Sequence, residues 1–475
     1  DVVVTASDGA TRSYTVVVTR LALAQFGQSD YVKASTTLSN DQFGWSVAID
    51  GDTLAVGAYG RTAAAGVVYV FVREAAAWRE QATLQASNGE AGDVFGWSLA
   101  ISGDTIAVGA NLEDGAATGV NGADDNDAEF AGAAYVFTRS GEVWTEQAYV
   151  KASNAEGGDQ FGYNVVLSGD LLAVAAIGEQ SASVGIDGVQ DDNDATPSAG
   201  AVYVFKRNSG AWTQDAYVKA SNTEARDNFG RGIAISGETL AVGAYYESSD
   251  GTGVGAAQDN NNASRSGAVY VYSRASGSWL QEEYIKASNA QDGDEFGCRV
   301  ALSGETLAVG ACKEDGGTNN VGGSQTDESQ IASGAVYVFV REEASWIQQA
   351  YIKASNTDQS DFFGTRLSLD GDVLAVGAYH EDSIATGIGG NQDDETANAA
   401  GAAYLYTRDA DRQWSNAAYL KASNTAANDE FGYSLAVSGD TLVVGAHLEG
   451  GSSTGLNGDE TTNPVLNIGA VYVFR

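Results

Sequence analysis

The side chains best suited to chemistry in this chain are carboxylates, and they come in short runs. These are Asp124-Asp125-Asn126-Asp127, Asp191-Asp192-Asn193-Asp194, Asp259-Asn260-Asn261-Asn262, Asp327-Glu328, Asp393-Asp394-Glu395 and Asp459-Glu460. Calcium takes roughly six to eight oxygens, which carboxylates interleaved with Asn and backbone carbonyls can supply. Asp124, Asp125, Asp127, Asp191, Asp192, Asp194, Asp259, Asp393 and Asp394 are therefore candidate calcium ligands, the two DDND runs foremost. Their spacing is not that of an EF-hand, and the competing reading is a solvated acidic surface.

Other chemistries find little to work with. The two histidines, His380 and His447, read as ordinary surface or loop residues. The sequence has no GxSxG elbow, HExxH helix or phosphate-cradling glycine loop in a suitable context. Pairs of carboxylates of the glycosidase kind are too abundant here to single one out. A non-enzymatic protein is expected, with a polysaccharide-acting enzyme as a lesser alternative.

The net charge of -38 limits the partners. Thirteen of the 25 basic residues occupy two repeated positions, Arg73, Arg139, Arg207, Arg274, Arg341, Arg408 and Arg475 in one, and Lys33, Lys151, Lys219, Lys286, Lys353 and Lys421 in the other. Basic side chains are thus largely framework, and nucleic acid and anionic membrane are unfavourable partners. Cations or a basic surface are favoured. No apolar run approaches the roughly 18 residues of a membrane span, and the opening DVVVTASDGA has no leader-like pattern, as in a mature product or an excised piece.

The acidic runs are placed by a repeat. Phe-Gly pairs begin at Phe43, Phe95, Phe161, Phe229, Phe296, Phe363 and Phe431, at a spacing of 52 residues and then of 66 to 68. Each is followed by an alternating strand, a tight glycine turn, a second strand ending near Gly-Ala, a GAVYVF-like third strand and a tryptophan-led fourth. Seven units of four antiparallel strands predict an all-β fold, a seven-bladed β-propeller over 24–475. The chain stops at a third strand, Gly469 to Arg475, and has a spare fourth strand, Asp30 to Ser35, at the other end. The spare strand is expected to complete the last blade and close the ring. Residues 1–22 do not match the repeat and read as a hairpin about Asp8-Gly9.

In an up-and-down blade, the long acidic links between second and third strands emerge on the same face as the links between blades. Asp41, Asp93, Asp159, Asp227, Asp294, Asp361 and Asp429, each two residues before a Phe-Gly, are on that face and read as turn-fixing scaffold. Glu113, Glu179, Glu247, Glu314, Glu381 and Glu449 recur three residues past the second strand. Blade 1 has Arg61 there and Gln85 in place of the repeated Lys, which hints at a Glu–Lys pair inside each other blade. Exposed pairs of this kind would contribute under about 1 kcal/mol each. Cys298 and Cys312 fall nearly opposite on two strands of blade 5, either as a disulfide or as two buried thiols.

Phe-Gly opening the first strand, Val-Gly-Ala ending the second and Gly-Ala-Val-Tyr-Val-Phe in the third resemble FG-GAP repeats, the blades of integrin α-subunit heads and of many bacterial secreted proteins. The hairpin resembles the end of a cadherin-like β-sandwich domain of bacterial surface proteins. The resemblance implies an extracellular or cell-surface binding and adhesion module whose loop face receives a protein or glycan. Integrin-type blades often carry a DxDxDG calcium loop between the first two strands, where this chain has only tight turns such as Ser168-Gly169-Asp170. That site is not transferred. The alternative is a structural subunit of a filament or layer, self-associating through residues 1–20 by β-augmentation.

Overall fold

The computed structural model describes residues 26–123, 126–190, 196–460 and 467–475, together with the backbone of 2–5 and 11–14. Within these, seven four-stranded antiparallel sheets follow one another as blades. Blade 3 shows the plan, with Phe161–Ser168 innermost, then Leu171–Ala176, Ala201–Asn208 and Ala211–Val218 outermost. In the last blade the outer strand is Gln28–Val32, paired antiparallel with Ala470–Phe474 from the other end of the chain. The ring therefore closes as expected, and no blade edge is left open between the first and last repeats. Val2–Thr5 and Thr11–Tyr14 pair antiparallel in a separate two-stranded sheet.

The repeated residues are explained by contacts between blades. Seven buried apolar clusters each draw from two neighbouring blades, the seventh-to-first junction included. Phe161 is fully buried between blades 2 and 3, its ring centre 5.4 Å from that of Tyr203. The glycine after it has φ +89°, and a Cβ there would come within 2.1 Å of the Ala133 carbonyl oxygen of the preceding blade. Gly109, in the Val-Gly-Ala of blade 2, would likewise place a Cβ 2.0 Å from the oxygen of Gly162. Phe fills the seam and the two glycines let the inner strands approach.

The repeated arginines tie the opposite face. Arg207 donates from Nε to Asp170 at 2.7 Å and from Nη1 to Thr105 of the preceding blade at 3.0 Å, with its guanidinium 5.0 Å from the ring centre of Trp212. Cys298 and Cys312 are joined as a disulfide, with a Cα separation of 6.2 Å, which settles the two alternatives.

Candidate functional site

The long links are built from their feet upward. In blade 2, Glu113 Oε2 receives a hydrogen bond from Lys151 Nζ at 2.6 Å, and Oε1 receives one from the Tyr149 hydroxyl at 2.6 Å. The same ion pair recurs as Lys219–Glu179, Lys286–Glu247, Lys353–Glu314, Lys421–Glu381 and Lys33–Glu449, at 2.5 to 2.7 Å. The lysine side chains are 0% exposed. The pairing follows the sequence, but its depth does not: these are buried charges, so the small energy of exposed pairs does not apply. Burial drives the ammonium pKa of Lys33, Lys219, Lys286, Lys353 and Lys421 down, opposed by the facing glutamate.

Each pair is extended across a blade junction. Asn154, after the outer strand of blade 2, donates to Glu179 Oε1 of blade 3 at 3.2 Å and accepts from the Tyr203 hydroxyl at 2.5 Å. Asn88, Asn222, Asn289, Asn356 and Asn424 repeat the bond to the next glutamate at 3.0 to 3.4 Å. A buried carboxylate with all these donors is satisfied, which is the condition for a charge to be tolerated there.

The next residues hold the loop as it leaves and returns. Asp114 Oδ1 accepts from Phe130 N at 2.8 Å, Asp315 Oδ1 from Ala332 N at 2.7 Å and Asp382 Oδ1 from Ala399 N at 2.7 Å. Midway, the loop leans back on the outer strand of its own blade: Asn121 N donates to Tyr149 O at 2.7 Å, and Asn121 Oδ1 accepts from Tyr149 N at 3.0 Å. Asp187 and Asn457 repeat this with Tyr217 and Tyr31.

The aspartates before Phe-Gly fix turns beside these feet. Asp41, Asp93, Asp159, Asp227, Asp294 and Asp429 each accept from the amide three residues earlier. Burial raises the carboxyl pKa to about 6 at Asp93, 7 at Asp227, 8 at Asp294, 9 at Asp361 and 7 at Asp429, with the buried glutamate of the same blade adding to the rise. In blade 1, Arg61 stands in for the glutamate and pairs with Asp41 at 2.5 Å and with Thr36 Oγ1 at 2.8 Å.

Of the candidate calcium ligands, Asp124, Asp125, Asp191, Asp192 and Asp194 lie outside the described residues. Asp127, Asp259, Asp393 and Asp394 are on the loops of alternate blades, 2, 4 and 6. Asp394 caps its own loop, accepting from Thr396 N at 2.9 Å and Thr396 Oγ1 at 2.5 Å. Among the described residues no three metal-ligating side chains come together, so these four do not form a calcium site with one another.

Two placements were not legible in the sequence. His447 is not an ordinary surface histidine: it is buried, with its ring centre 4.0 Å from that of Tyr433 and 5.0 Å from that of Trp45. Burial, with Arg366 nearby, lowers its pKa to about 3. The residues just after Phe-Gly differ from blade to blade and line the axis, and that variation within an otherwise regular repeat is the signal that marks them.

Ring, closure and loop-bearing rim together define a seven-bladed β-propeller of the kind that presents loops on one face. Seven stretches, 26–71, 78–137, 144–205, 212–272, 279–339, 346–406 and 414–474, match the FG-GAP repeat family. The chain belongs to that family. Among curated proteins none matches it.

Proposed function

We propose that the chain is an extracellular binding and adhesion module whose long-loop face receives a protein or glycan partner. Membership of the FG-GAP repeat family points to a binding module. The observation that carries the finer reading is the make-up of that face. Of the ten large apolar side chains left exposed among the described residues, seven belong to its links: Leu38, Phe130, Val184, Val189, Ile331, Ile384 and Ile388. They stand among carboxylates on loops whose feet are fixed by buried ion pairs. Apolar anchors within a charged rim, held rigid before contact, are what a docking face requires. The Cys298–Cys312 disulfide suits an oxidising, extracellular setting.

The test exchanges 122–127 and 188–195 for short Gly-Ser links, leaving Asn121 and Asp187 to hold the outer strand. Wild type and exchanged protein are compared on a glycan array and on immobilised matrix proteins. Binding by the wild type that the exchange abolishes, at unchanged melting temperature, supports the reading. Binding that survives moves the site elsewhere, and no binding by either sinks it.

A second reading, assembly through the N-terminal strands, draws on the separate pairing of Val2–Thr5 with Thr11–Tyr14. Electron micrographs that show only single discs at high protein concentration would dismiss it.

A further inference from the structure

Residues just after the Phe-Gly pairs, three from each of blades 7, 1, 2 and 3 and one arginine from each of blades 4, 5 and 6, line a cavity of about 280 Å3. Its wall is divided. Blades 7, 1, 2 and 3 contribute Tyr433, Trp45, Trp97 and Tyr163, and the contiguous blades 4, 5 and 6 contribute Arg231, Arg299 and Arg366. The tryptophans lie with ring centres 4.8 Å apart, and Trp45 is 4.7 Å from Tyr433.

Three cations side by side, in a protein of net charge -38, call for an explanation. Most of the described arginines are ion-paired, but these three have no carboxylate partner within 4.0 Å among the described residues. Arg299 Nη1 donates to the Cys298 and Arg231 carbonyls at 2.8 and 3.2 Å, and Arg366 Nη1 to the Thr365 carbonyl at 2.9 Å. Arg366 also stacks 4.4 Å from the ring centre of Tyr433, and Arg231 5.2 Å from that of Tyr163. Burial, then the like charges of Arg366 and Arg231, depress the pKa of Arg299. The nearby Glu430 approaches His447 at 3.7 Å, and its own pKa is raised to about 7 by burial against the pull of Arg366.

The serine hydroxyls and the Asn164 amide of the wall are engaged. The hydroxyls of Ser46, Ser98 and Ser434 donate to the carbonyls of Gly96, Gly162 and Gly44, and Asn164 donates to Arg231 O. The guanidinium groups supply charged donors, each carrying five N–H bonds in a fork that fits a carboxylate or sulfate. A bare oxyanion would leave most of the space empty, since a water's share of liquid volume is only about 30 Å3. The aromatic half offers flat apolar faces to whatever bears the anion.

We propose that the axial cavity binds an acidic sugar unit, its carboxylate or sulfate held by Arg231, Arg299 and Arg366 and its ring laid on Trp45, Trp97 and Tyr433. None of the lining residues belongs to the long loops, and the test does not depend on the reading of those loops. Calorimetric titration of the full chain would use glucuronate, glucose 6-sulfate, glucose and inorganic sulfate, with wild type, Arg299→Gln, Arg366→Gln and the loop-exchanged protein. Both acidic sugars should bind and glucose should not, and each arginine substitution should weaken binding roughly tenfold or more. The loop exchange should leave binding unchanged. Melting curves without ligand show whether each variant is folded. Arg299→Gln removes one of three like charges and should melt no lower than wild type, and Arg366→Gln provides a second variant if it does. Equal binding of glucose, no loss in a folded Arg366→Gln protein, or inorganic sulfate matching both sugars would overturn the proposal, as would the absence of any binding.

Discussion

Blade 1 and blade 3 are built on the same four strands and carry very different links. In blade 3, residues 177–200 connect the second and third strands above the buried pair Lys219–Glu179. In blade 1 the connection is 59–66, and Arg61 reaches Asp41 and Thr36 instead. Four positions change together: Arg61 for Glu179, Gln85 for Lys219, Thr83 for Tyr217 and Thr36 for Asn154. Blade 1 nonetheless joins apolar clusters on both sides. The buried ion-pair network therefore belongs to the long loop and not to the propeller, whose blades hold together by apolar contact. A buried pair is poor evidence of stabilisation, and here it is found where a loop has to be held.

The largest effect expected is from Lys219→Met. It leaves Glu179 charged, buried and without its cation, a loss of about 3–5 kcal/mol, read from denaturant or thermal unfolding. Gln85→Met at the matching place in blade 1 should stay within about 0.5 kcal/mol. Replacing Glu179 together with Lys219 by apolar residues should recover most of the loss while the loop, cut loose from its foot, becomes sensitive to protease. Equal small effects in blades 1 and 3 would dissolve the distinction.

Calcium is the next. The acidic runs are confined to blades 2 to 7, so a metal effect, if these runs are ligands, belongs to the loops. Calcium at about 100 times its dissociation constant would stabilise the native protein by roughly 2.7 kcal/mol per site, seen as a rise in melting temperature over a chelator control and a smaller rise with magnesium. The exchange of 122–127 and 188–195 should remove the part owed to the DDND runs. No rise in the wild type would leave these runs as solvated surface.

The repeat made the architecture readable because Phe, Gly and the closing strand are each required by contacts that every blade makes. The Glu–Lys pairing was readable from blade 1, where both partners are missing at once. Its burial was not, because Tyr217 and Asn154 come from other strands and only the folded blade shows them closing over Glu179. The axis was hidden for another reason. Its lining comes from positions where the repeat is irregular, Trp45, Trp97, Tyr163, Arg231, Arg299, Arg366 and Tyr433, and a reading by recurrence passes over what does not recur. Cys298 occupies one of those positions, next to Arg299.

The smallest effect separates the aspartates before Phe-Gly. Burial beside a glutamate raises the pKa of Asp93, Asp227, Asp294, Asp361 and Asp429 to between about 6 and 9, from an ordinary 3.8. The native state then holds protons that the unfolded chain has released, so their contribution is complete below about pH 4 and is lost as pH rises through 6 to 9. The lysines depressed by burial act in the opposite sense, toward the alkaline end. Melting temperature should fall from pH 5.5 to pH 8.5. Asp361→Asn keeps an acceptor and removes the titration, so at pH 8.5 it should gain about 1 kcal/mol and flatten the pH dependence. Asp41→Asn in blade 1 takes a partner from Arg61 and should lose stability, by about 1 kcal/mol, across the same range. Opposite signs for one substitution at equivalent places would show that each aspartate answers to the charge beneath the loop. Equal signs would make them plain turn-formers in every blade.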